Sequence, residues 1–152
     1  MLPGSLLAAK AVVFIFLRTD CPVSNRYAPE IQRLYREFAT RGAEFSMVYP
    51  GPGETLKSVN DHAKQYGLPG AIVLDPIHKL VRMAGVHTTP EAAVFTAAHV
   101  LVYQGRIDNR YLTFGKARRE PTTHDLEAAI SAVLEGKPAS PAAGPAIGCA
   151  IE

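Results

Sequence analysis

Residues 11–29 read AVVFIFLRTDCPVSNRYAP, and this stretch decides the fold. Its first seven residues are apolar and rich in β-branched and aromatic side chains, which predicts a central strand covered on both faces. A helical pattern over residues 23–40 follows, with one apolar stripe formed by Ile31, Leu34, Tyr35 and Phe38. Pro29 lies inside this pattern and predicts a kink, because its ring displaces one backbone hydrogen bond. Cys21 therefore stands at the turn between a buried strand and a helix.

The rest of the chain alternates between strand and helix patterns. Strands are predicted at residues 43–49 and 71–74, and a hairpin at 92–96 and 100–103. Helices are predicted at residues 54–66, from Pro76 to about 83, and at 123–134 with Thr122 or Thr123 as the cap. This order predicts an α/β sandwich, with parallel strand pairs, a closing antiparallel hairpin and helices on both sides of a central mixed sheet.

Length and composition favour a single globular domain. The chain has 152 residues, of which 20% are charged and 47% hydrophobic. We predict a domain over residues 1–136, followed by a Pro/Ala/Gly-rich tail over residues 137–152 that carries Cys149. A net charge of +2 gives no reason to expect binding to nucleic acid or to a membrane surface.

The N-terminal residues do not indicate a compartment. Residues 1–17 are apolar but lack a basic n-region and a small-residue cleavage site, and we interpret the second half as the buried strand. No run approaches the roughly 20 apolar residues that a membrane span needs. Two widely separated cysteines suit the bacterial cytoplasm or the periplasm, and a homodimer is compatible with the sequence but unsupported by any clear apolar patch.

Cys21 is the main candidate for chemistry. A helix N-terminus directs unpaired N–H groups and the positive end of its dipole at the sulfur, which favours the nucleophilic thiolate over the thiol. Pro22 fits the first helical turn at no cost in hydrogen bonds. The alternative is an inert buried cysteine at the end of a strand.

A second candidate region is Thr89-Pro90, just before the predicted hairpin. This dipeptide is either a plain turn or a cis peptide bond. In the second case, the backbone beside Pro90 could pair with an extended substrate peptide.

Three blocks of sequence resemble a known superfamily. The segment from the first strand through DCPVSNRYAP at 20–29, and TTPE at 88–91 before a strand, resemble the active-site turn and cis-proline of the thioredoxin superfamily. GRIDNRY at 105–111 makes the chain more specifically similar to AhpC/TSA-like bacterial redoxins. The resemblance implies a thioredoxin-like sandwich and an antioxidant or oxidoreductase activity through Cys21. It also implies a substrate groove formed by Pro22, Ser24, Thr89 and Pro90.

The sequence departs from these families at positions that determine the reaction. Ser24 stands where a thioredoxin-type CxxC motif has its second cysteine, so another thiol must release a mixed disulfide. Arg18 stands where typical peroxiredoxins carry a threonine, and Asn25 stands where Sco-type copper chaperones carry a second cysteine. The substrate is therefore left open between a protein disulfide and a peroxide, with an external thiol as reductant. The alternative function is a non-catalytic binding module that holds a client protein.

The remaining candidates are a second cysteine and several charged residues. Cys149 could resolve oxidised Cys21, within the chain or across a dimer, or could be a bystander on the tail. Arg106 or Arg110 could stabilise a thiolate or a peroxide oxygen, although a surface salt bridge is the simpler role for each. Arg18 and Asp20 are expected to pair, and His87 is a candidate for proton transfer. The histidines show no metal-ligand spacing, and no cofactor is implied.

Overall fold

The computed structural model describes residues 9–152. The strands are β1 Ala11–Phe16, β2 Ala43–Tyr49, β3 Ala71–Leu74, β4 Thr88–Thr89, β5 Glu91–Thr96, β6 Leu101–Gly105, β7 Tyr111–Thr113, β8 Lys116–Ala117 and β9 Cys149–Ala150. The helices are α1 Pro22–Arg26, α2 Ala28–Phe38, α3 Leu56–Tyr66, α4 Lys79–Ala84 and α5 Asp125–Leu134, with a 3-10 turn at Ala39–Arg41. No helix among these residues is both long and apolar enough to cross a membrane.

A five-stranded mixed sheet forms the centre of the fold, in the order β3-β2-β1-β5-β6. Strands β1, β2 and β3 run parallel, whereas β5 and β6 are antiparallel to their neighbours. Phe16, the last residue of β1, pairs with Val48 on one side and with Glu91 on the other. The predicted α/β sandwich with a closing hairpin is confirmed, and the architecture is thioredoxin-like.

Two apolar clusters hold helices against the sheet. The larger contains alternate residues of β1 and the stripe of α2 together with α5, including Val13, Ile15, Ile31, Leu34, Leu126 and Ile130. The smaller includes Phe16, Val48, Val81 and Phe95, and it packs α4 against the opposite face. Each fully buried side chain of this size contributes roughly 1.5–3 kcal/mol of transfer free energy, so the packing fixes the end of β1 that precedes Cys21.

The first helix breaks before the residue that the sequence indicates. The pattern over residues 23–40 predicts one helix kinked at Pro29, but the structure has two helices that meet at Tyr27. Pro29 occupies the first turn of α2, where its missing N–H has no intrahelical partner to lose. The helix junction at Tyr27 therefore lies two residues before Pro29, the residue that causes it.

Two predicted helix starts are wrong for identifiable reasons. Pro76 does not open α4; Asp75 accepts hydrogen bonds from the N–H groups of Leu80 and Val81, so the helix begins three residues after the proline. Neither Thr122 nor Thr123 caps α5, whose N-cap residue is His124. The amide oxygen of Asn109 binds the backbone N–H groups of both threonines instead.

The C-terminal segment returns to the body of the protein. Residues 137–148 form no regular secondary structure, yet Ala139, Ala142 and Ile147 pack against the larger apolar cluster. Strand β9 then pairs antiparallel with β4, which the sequence patterns did not predict. This pairing brings the chain terminus to the turn that carries Cys21.

Candidate active site

Cys21 is the N-cap residue of α1 and is fully buried at the carboxyl end of β1. Its Sγ accepts a hydrogen bond from the backbone N–H of Ser24 at 3.5 Å. On its other side, the thiol donates to the carbonyl oxygen of Thr89 at 3.3 Å. The peptide bond between Thr89 and Pro90 is cis. The two predicted candidate regions therefore meet at the sulfur of Cys21.

Several groups set the protonation state of Cys21. Burial raises the pKa of its thiol, and this is the largest single influence. The hydrogen bond from the Ser24 N–H and the nearby polar side chains of Cys149, Ser24 and Thr89 act in the opposite direction and together lower the pKa below its ordinary value. The contact with the Thr89 carbonyl favours the protonated form, but it is outweighed, because several donors face the same sulfur.

Cys149 is the second thiol of the site. It pairs with Thr89 across the β4–β9 ladder, and its carbonyl oxygen accepts a hydrogen bond from the Thr89 hydroxyl at 3.3 Å. Burial raises the pKa of the Cys149 thiol to about 12, and its hydrogen bond to Cys21 and the negative charge of that thiolate add to the effect. Cys149 therefore stays protonated at neutral pH, beside the more acidic Cys21. Both cysteines are free thiols in this structure.

Ser24 and Pro22 occupy different environments in α1. The Ser24 hydroxyl is buried and has no hydrogen-bond partner with regular geometry among residues 9–152, although it lies near enough to Cys21 to lower the pKa of that thiol. It is therefore a donor available to a negative charge on the sulfur. Pro22 is the exposed first residue of α1, and Pro90 is buried beside the thiol.

The charged candidates hold partners away from the sulfur. Arg106 forms an ion pair with Asp125 at 3.2 Å, and Arg110 donates to a backbone carbonyl oxygen at 3.0 Å. Arg18 pairs with Asp20 at 2.8 Å, and the side chain of His87 is exposed. Within residues 9–152, no hydrogen bond or ion pair joins any of these side chains to Cys21. The interpretation of Arg106 and Arg110 as ion-pair or surface residues fits these contacts better than a role at the thiolate.

A chain of hydrogen bonds connects the turn before Cys21 to β2 and α3. The hydroxyl of Tyr49 binds Nδ1 of His62 at 2.8 Å, and Nε2 of His62 binds Oδ1 of Asn25 at 2.7 Å. The amide nitrogen of Asn25 then donates to the carbonyl oxygen of Thr19 at 3.3 Å. Since Asn25 Oδ1 only accepts, His62 carries its proton on Nε2, and Tyr49 donates to Nδ1. Sequence reasoning missed this chain, because its members lie on four separate elements.

Comparison with known families identifies the group to which this chain is related. The AhpC/TSA family matches residues 5–109, which is more than half of the chain. This chain belongs to the AhpC/TSA family. A search of curated proteins gave no match.

Solved structures place this AhpC/TSA family member among thioredoxin-like folds. An uncharacterized conserved protein from Geobacillus kaustophilus superposes with a TM-score of 0.81 at 24% identity, covering 94% of this chain and 77% of that one. A hypothetical protein from Sinorhizobium meliloti gives 0.79 at 25%, covering 98% and 82%. A secreted disulfide oxidoreductase from Mycobacterium tuberculosis, homologous to E. coli DsbE, gives 0.54 at 16%, covering 88% and 86%. These identities establish a shared fold and no more.

The GRIDNRY block of this AhpC/TSA family member has a structural role. The hydroxyl of Tyr27, at the junction of α1 and α2, donates to Oδ1 of Asp108 at 2.5 Å. Burial and the neighbouring carboxylate raise the pKa of Tyr27 far above its ordinary value. The block therefore fixes the helix junction behind Cys21 and touches no reacting atom.

One group of potential metal ligands also lies outside the site. Glu30, His124 and Glu127 present ligand atoms within 4.8 Å of one another. The guanidinium of Arg33 lies between the two carboxylates, at 2.7 Å from Glu30 and 2.5 Å from Glu127. Because an arginine already balances their charge, this cluster is an ion-pair network that joins α2 to α5.

Proposed function

We propose that this AhpC/TSA family member is a thiol-dependent oxidoreductase that exchanges disulfides with a protein substrate through Cys21. Cys149 then resolves the mixed disulfide. The observation that carries the proposal is the β4–β9 pairing, which sets Cys149 opposite Thr89, the residue whose carbonyl oxygen lies 3.3 Å from Sγ of Cys21. The tail thus supplies the second thiol that Ser24 does not provide within the helix.

The reaction consists of two balanced exchanges. The Cys21 thiolate attacks one sulfur of the substrate disulfide, forms a mixed disulfide and expels the other substrate sulfur as a thiolate. The expelled substrate thiolate takes the proton of Cys149. The Cys149 thiolate then attacks the Sγ of Cys21 and forms the Cys21–Cys149 disulfide as the substrate's remaining thiolate leaves. The substrate has been reduced by two electrons, and an external dithiol restores both cysteines.

The difference in acidity between the two thiols supports this order of events. The lowered pKa of Cys21 favours the first attack, and the raised pKa of Cys149 holds that thiol in reserve. When Cys21 becomes part of a mixed disulfide, it loses its negative charge. The negative charge of Cys21 is one of the causes that raise the pKa of Cys149. When that charge is lost, the pKa of Cys149 falls, so the second nucleophile is activated only after the first step.

Peroxide reduction is the second candidate, favoured by the family to which the chain belongs. Here the Cys21 thiolate would take one oxygen from a hydroperoxide and, with a proton, give a sulfenic acid and an alcohol or water. Cys149 would then condense with the sulfenic acid, releasing water. Arg106 and Arg110 bind other groups, so neither guanidinium is available to stabilise a hydroperoxide oxygen at Cys21. This argues against the peroxidase candidate.

Cysteine mapping after oxidation tests the proposal. The reduced protein is treated in parallel with glutathione disulfide and with hydrogen peroxide, then analysed by intact mass and peptide mapping. We expect fast loss of two hydrogens and a Cys21–Cys149 crosslink with the disulfide, and slower change with peroxide. In Cys149→Ser, a glutathione adduct should persist on Cys21. Cys21→Ser should form no crosslink, and any glutathione adduct in that variant should map to Cys149.

Two outcomes would contradict the proposal. Faster crosslinking by peroxide than by glutathione disulfide favours the peroxidase candidate. A Cys21 that reacts with neither, and whose alkylation shows a pKa near the free value of about 8.5, indicates a non-catalytic binding module.

A further inference from the structure

The last six residues of the chain lie beside Cys21, along a surface that we call the groove. It is formed by the contacts of this segment with Thr88, Thr89, Pro90, Phe16, Val48 and Arg18. On one side of the groove, Thr88 and Thr89 pair with Ala150 and Cys149, and the N–H of Ile151 donates to the carbonyl oxygen of His87 at 2.9 Å. Main-chain pairing of this kind accepts any extended peptide. The segment therefore lies as a bound peptide would, with its cysteine next to the reactive thiol.

The position before the cysteine has no room for a side chain. A Cβ atom built on Gly148 would overlap with the carbonyl oxygen of Thr89, and it would lie 2.8 Å from the carbonyl carbon and 3.1 Å from Cδ of Pro90. These are backbone and ring atoms at the base of the groove, so they cannot turn aside as a flexible side chain would. The groove thus selects glycine at this position through space.

The positions after the cysteine differ in how closely they are contacted. The side chain of Ala150 is exposed, so the first position is unrestricted. Ile151 packs against the apolar cluster around Phe16 and Val48, and Glu152 forms an ion pair with Arg18 at 3.1 Å. The second position therefore favours an apolar residue, and the third favours an acidic one.

We propose that the tail is an internal copy of the protein's substrates and that these substrates bind in the same groove. Such a substrate is an extended segment with glycine directly before the reacting cysteine. It carries an apolar residue two positions after the cysteine and an acidic residue three positions after it. The inference rests on the proposed thiol exchange and adds its substrate class. The bound tail also competes with the substrate for the same backbone groups of β4.

Synthetic peptides test the selectivity on the full-length chain. The peptide Ile-Gly-Cys-Ala-Ile-Glu carries its cysteine as a mixed disulfide with thionitrobenzoate. The Cys21 thiolate attacks the peptide sulfur and expels the coloured thionitrobenzoate anion, because that leaving group has the lower pKa. The protein is Gly148→Ala/Cys149→Ala, in which the tail can neither occupy the groove nor resolve the product. Cys149→Ala alone, with the tail retained, is the second background in case the double variant does not fold.

The expected result is a ranking of rates. Replacing the peptide's glycine by alanine should slow the release by about tenfold or more, which corresponds to about 1.4 kcal/mol. Replacing the alanine after its cysteine by serine should change the rate by less than about twofold, and this is the matched control. Replacing its glutamate by lysine should slow the release several-fold at low salt and less at high salt. In the Cys149→Ala background all rates should be lower, with the same ranking.

Equal rates for the glycine and alanine peptides would overturn the inference. The small symmetrical disulfide of thionitrobenzoate separates this failure from that of the proposed function. If Cys21 reacts with the small disulfide but does not distinguish the peptides, only the substrate class is wrong. If Cys21 does not react with the small disulfide either, the exchange reaction fails, and the substrate class fails with it.

Discussion

Thr89 binds Cys149 in two ways, through the pairing of β4 with β9 and through its hydroxyl, which donates to the Cys149 carbonyl oxygen at 3.3 Å. The carbonyl oxygen of the same threonine lies 3.3 Å from Sγ of Cys21. One residue before the cis-proline thus holds both thiols of the site. The second thiol comes from the end of the chain, so its approach depends on the fold as a whole and not on one helical turn.

Removing the Ser24 hydroxyl should raise the pKa of Cys21. The hydroxyl is buried and faces the sulfur, and a hydrogen bond to a charged group contributes roughly 1.5–3 kcal/mol. We therefore expect Ser24→Ala to raise the pKa of Cys21, because the thiolate loses a nearby donor. The pH dependence of iodoacetamide alkylation, followed by mass spectrometry on Cys21, measures the shift.

The control for this experiment is Ser131→Ala, which removes a serine hydroxyl bound to Glu135 on the exposed surface. This variant should leave the alkylation profile of Cys21 unchanged. An unchanged profile in Ser24→Ala as well would mean that the backbone N–H of Ser24 and the neighbouring thiol stabilise the thiolate without the hydroxyl.

Replacing Cys21 should make Cys149 more reactive. The pKa of Cys149 is raised to about 12, first by burial and then by the hydrogen bond and charge of Cys21. In Cys21→Ala the second and third causes disappear, so the pKa should fall and alkylation of Cys149 at pH 8 should accelerate several-fold. Peptide mapping gives the rate at Cys149 directly, with Cys21→Ser as a variant that keeps a polar neighbour.

If Cys149 reacts equally fast in the wild-type protein and in both variants, its thiol is not coupled to Cys21. That result would remove the physical basis for delayed activation of the second nucleophile. A slower reaction in Cys21→Ala than in the wild-type protein would contradict the coupling outright.

The main elements of the fold could be predicted because their patterns are local. The alternation and apolar runs of residues 11–17, 43–49 and 71–74 give their strands to within a residue. The start of α5 was wrong, because Asn109 binds the backbone of Thr122 and Thr123, a contact that no local pattern contains. Tertiary hydrogen bonds therefore shifted the predicted ends of helices, whereas the helices themselves formed where they were predicted.

The site divides in the same way. Cys21 and the Thr89-Pro90 turn follow from strand, helix and turn patterns, together with a family resemblance. The β4–β9 ladder is only two residues long, and neither strand has a periodic pattern, so local sequence patterns could not place Cys149 beside Cys21. The chain from Tyr49 through His62 to Asn25 depends on three elements that meet only after folding.

Removing Arg106 should weaken the fold and leave the chemistry intact. Its ion pair with Asp125 is mostly buried, since the two side chains are 15% and 7% exposed. Burial alone would raise the pKa of Asp125. Hydrogen bonds from Ala143 and Thr123, together with the Arg106 guanidinium, outweigh burial and lower the pKa, so the carboxylate is charged at neutral pH. Arg106→Ala should reduce the free energy of unfolding by about 3 kcal/mol, because a buried charge loses its partner.

Urea unfolding measures this loss, and the alkylation rate of Cys21 in native buffer is the second readout. Lys57→Ala, which removes one partner of an exposed pair with Asp61, should leave both quantities almost unchanged. A large fall in the Cys21 rate in folded Arg106→Ala would instead assign the guanidinium to the thiolate, as one sequence-based hypothesis has it.

The buried histidine should make the stability of the protein depend on pH. Burial lowers the pKa of His62 below its ordinary value of 6.5, and the neighbouring charge of Glu54 offsets only part of this effect. As the pH falls below about 6.5, the unfolded chain therefore binds more protons at this residue than the folded chain does. Stability should be full above that pH and should decline as the pH falls towards the folded-state pKa of His62. Protonation of Nδ1 would also displace the hydrogen bond that the Tyr49 hydroxyl donates.

The variant His62→Gln should flatten this pH dependence. At pH 8 it should also lower the free energy of unfolding by about 1–3 kcal/mol, because the fully buried Tyr49 hydroxyl loses its well-placed acceptor. Urea unfolding at several pH values between 5 and 8 gives both quantities, with His87→Gln as the control, since that side chain is exposed. If the slope is unchanged in His62→Gln but lost in His87→Gln, the titrating group lies on the loop before the cis-proline. The polar chain beneath the active-site turn would then contribute packing and hydrogen bonds without sensing pH.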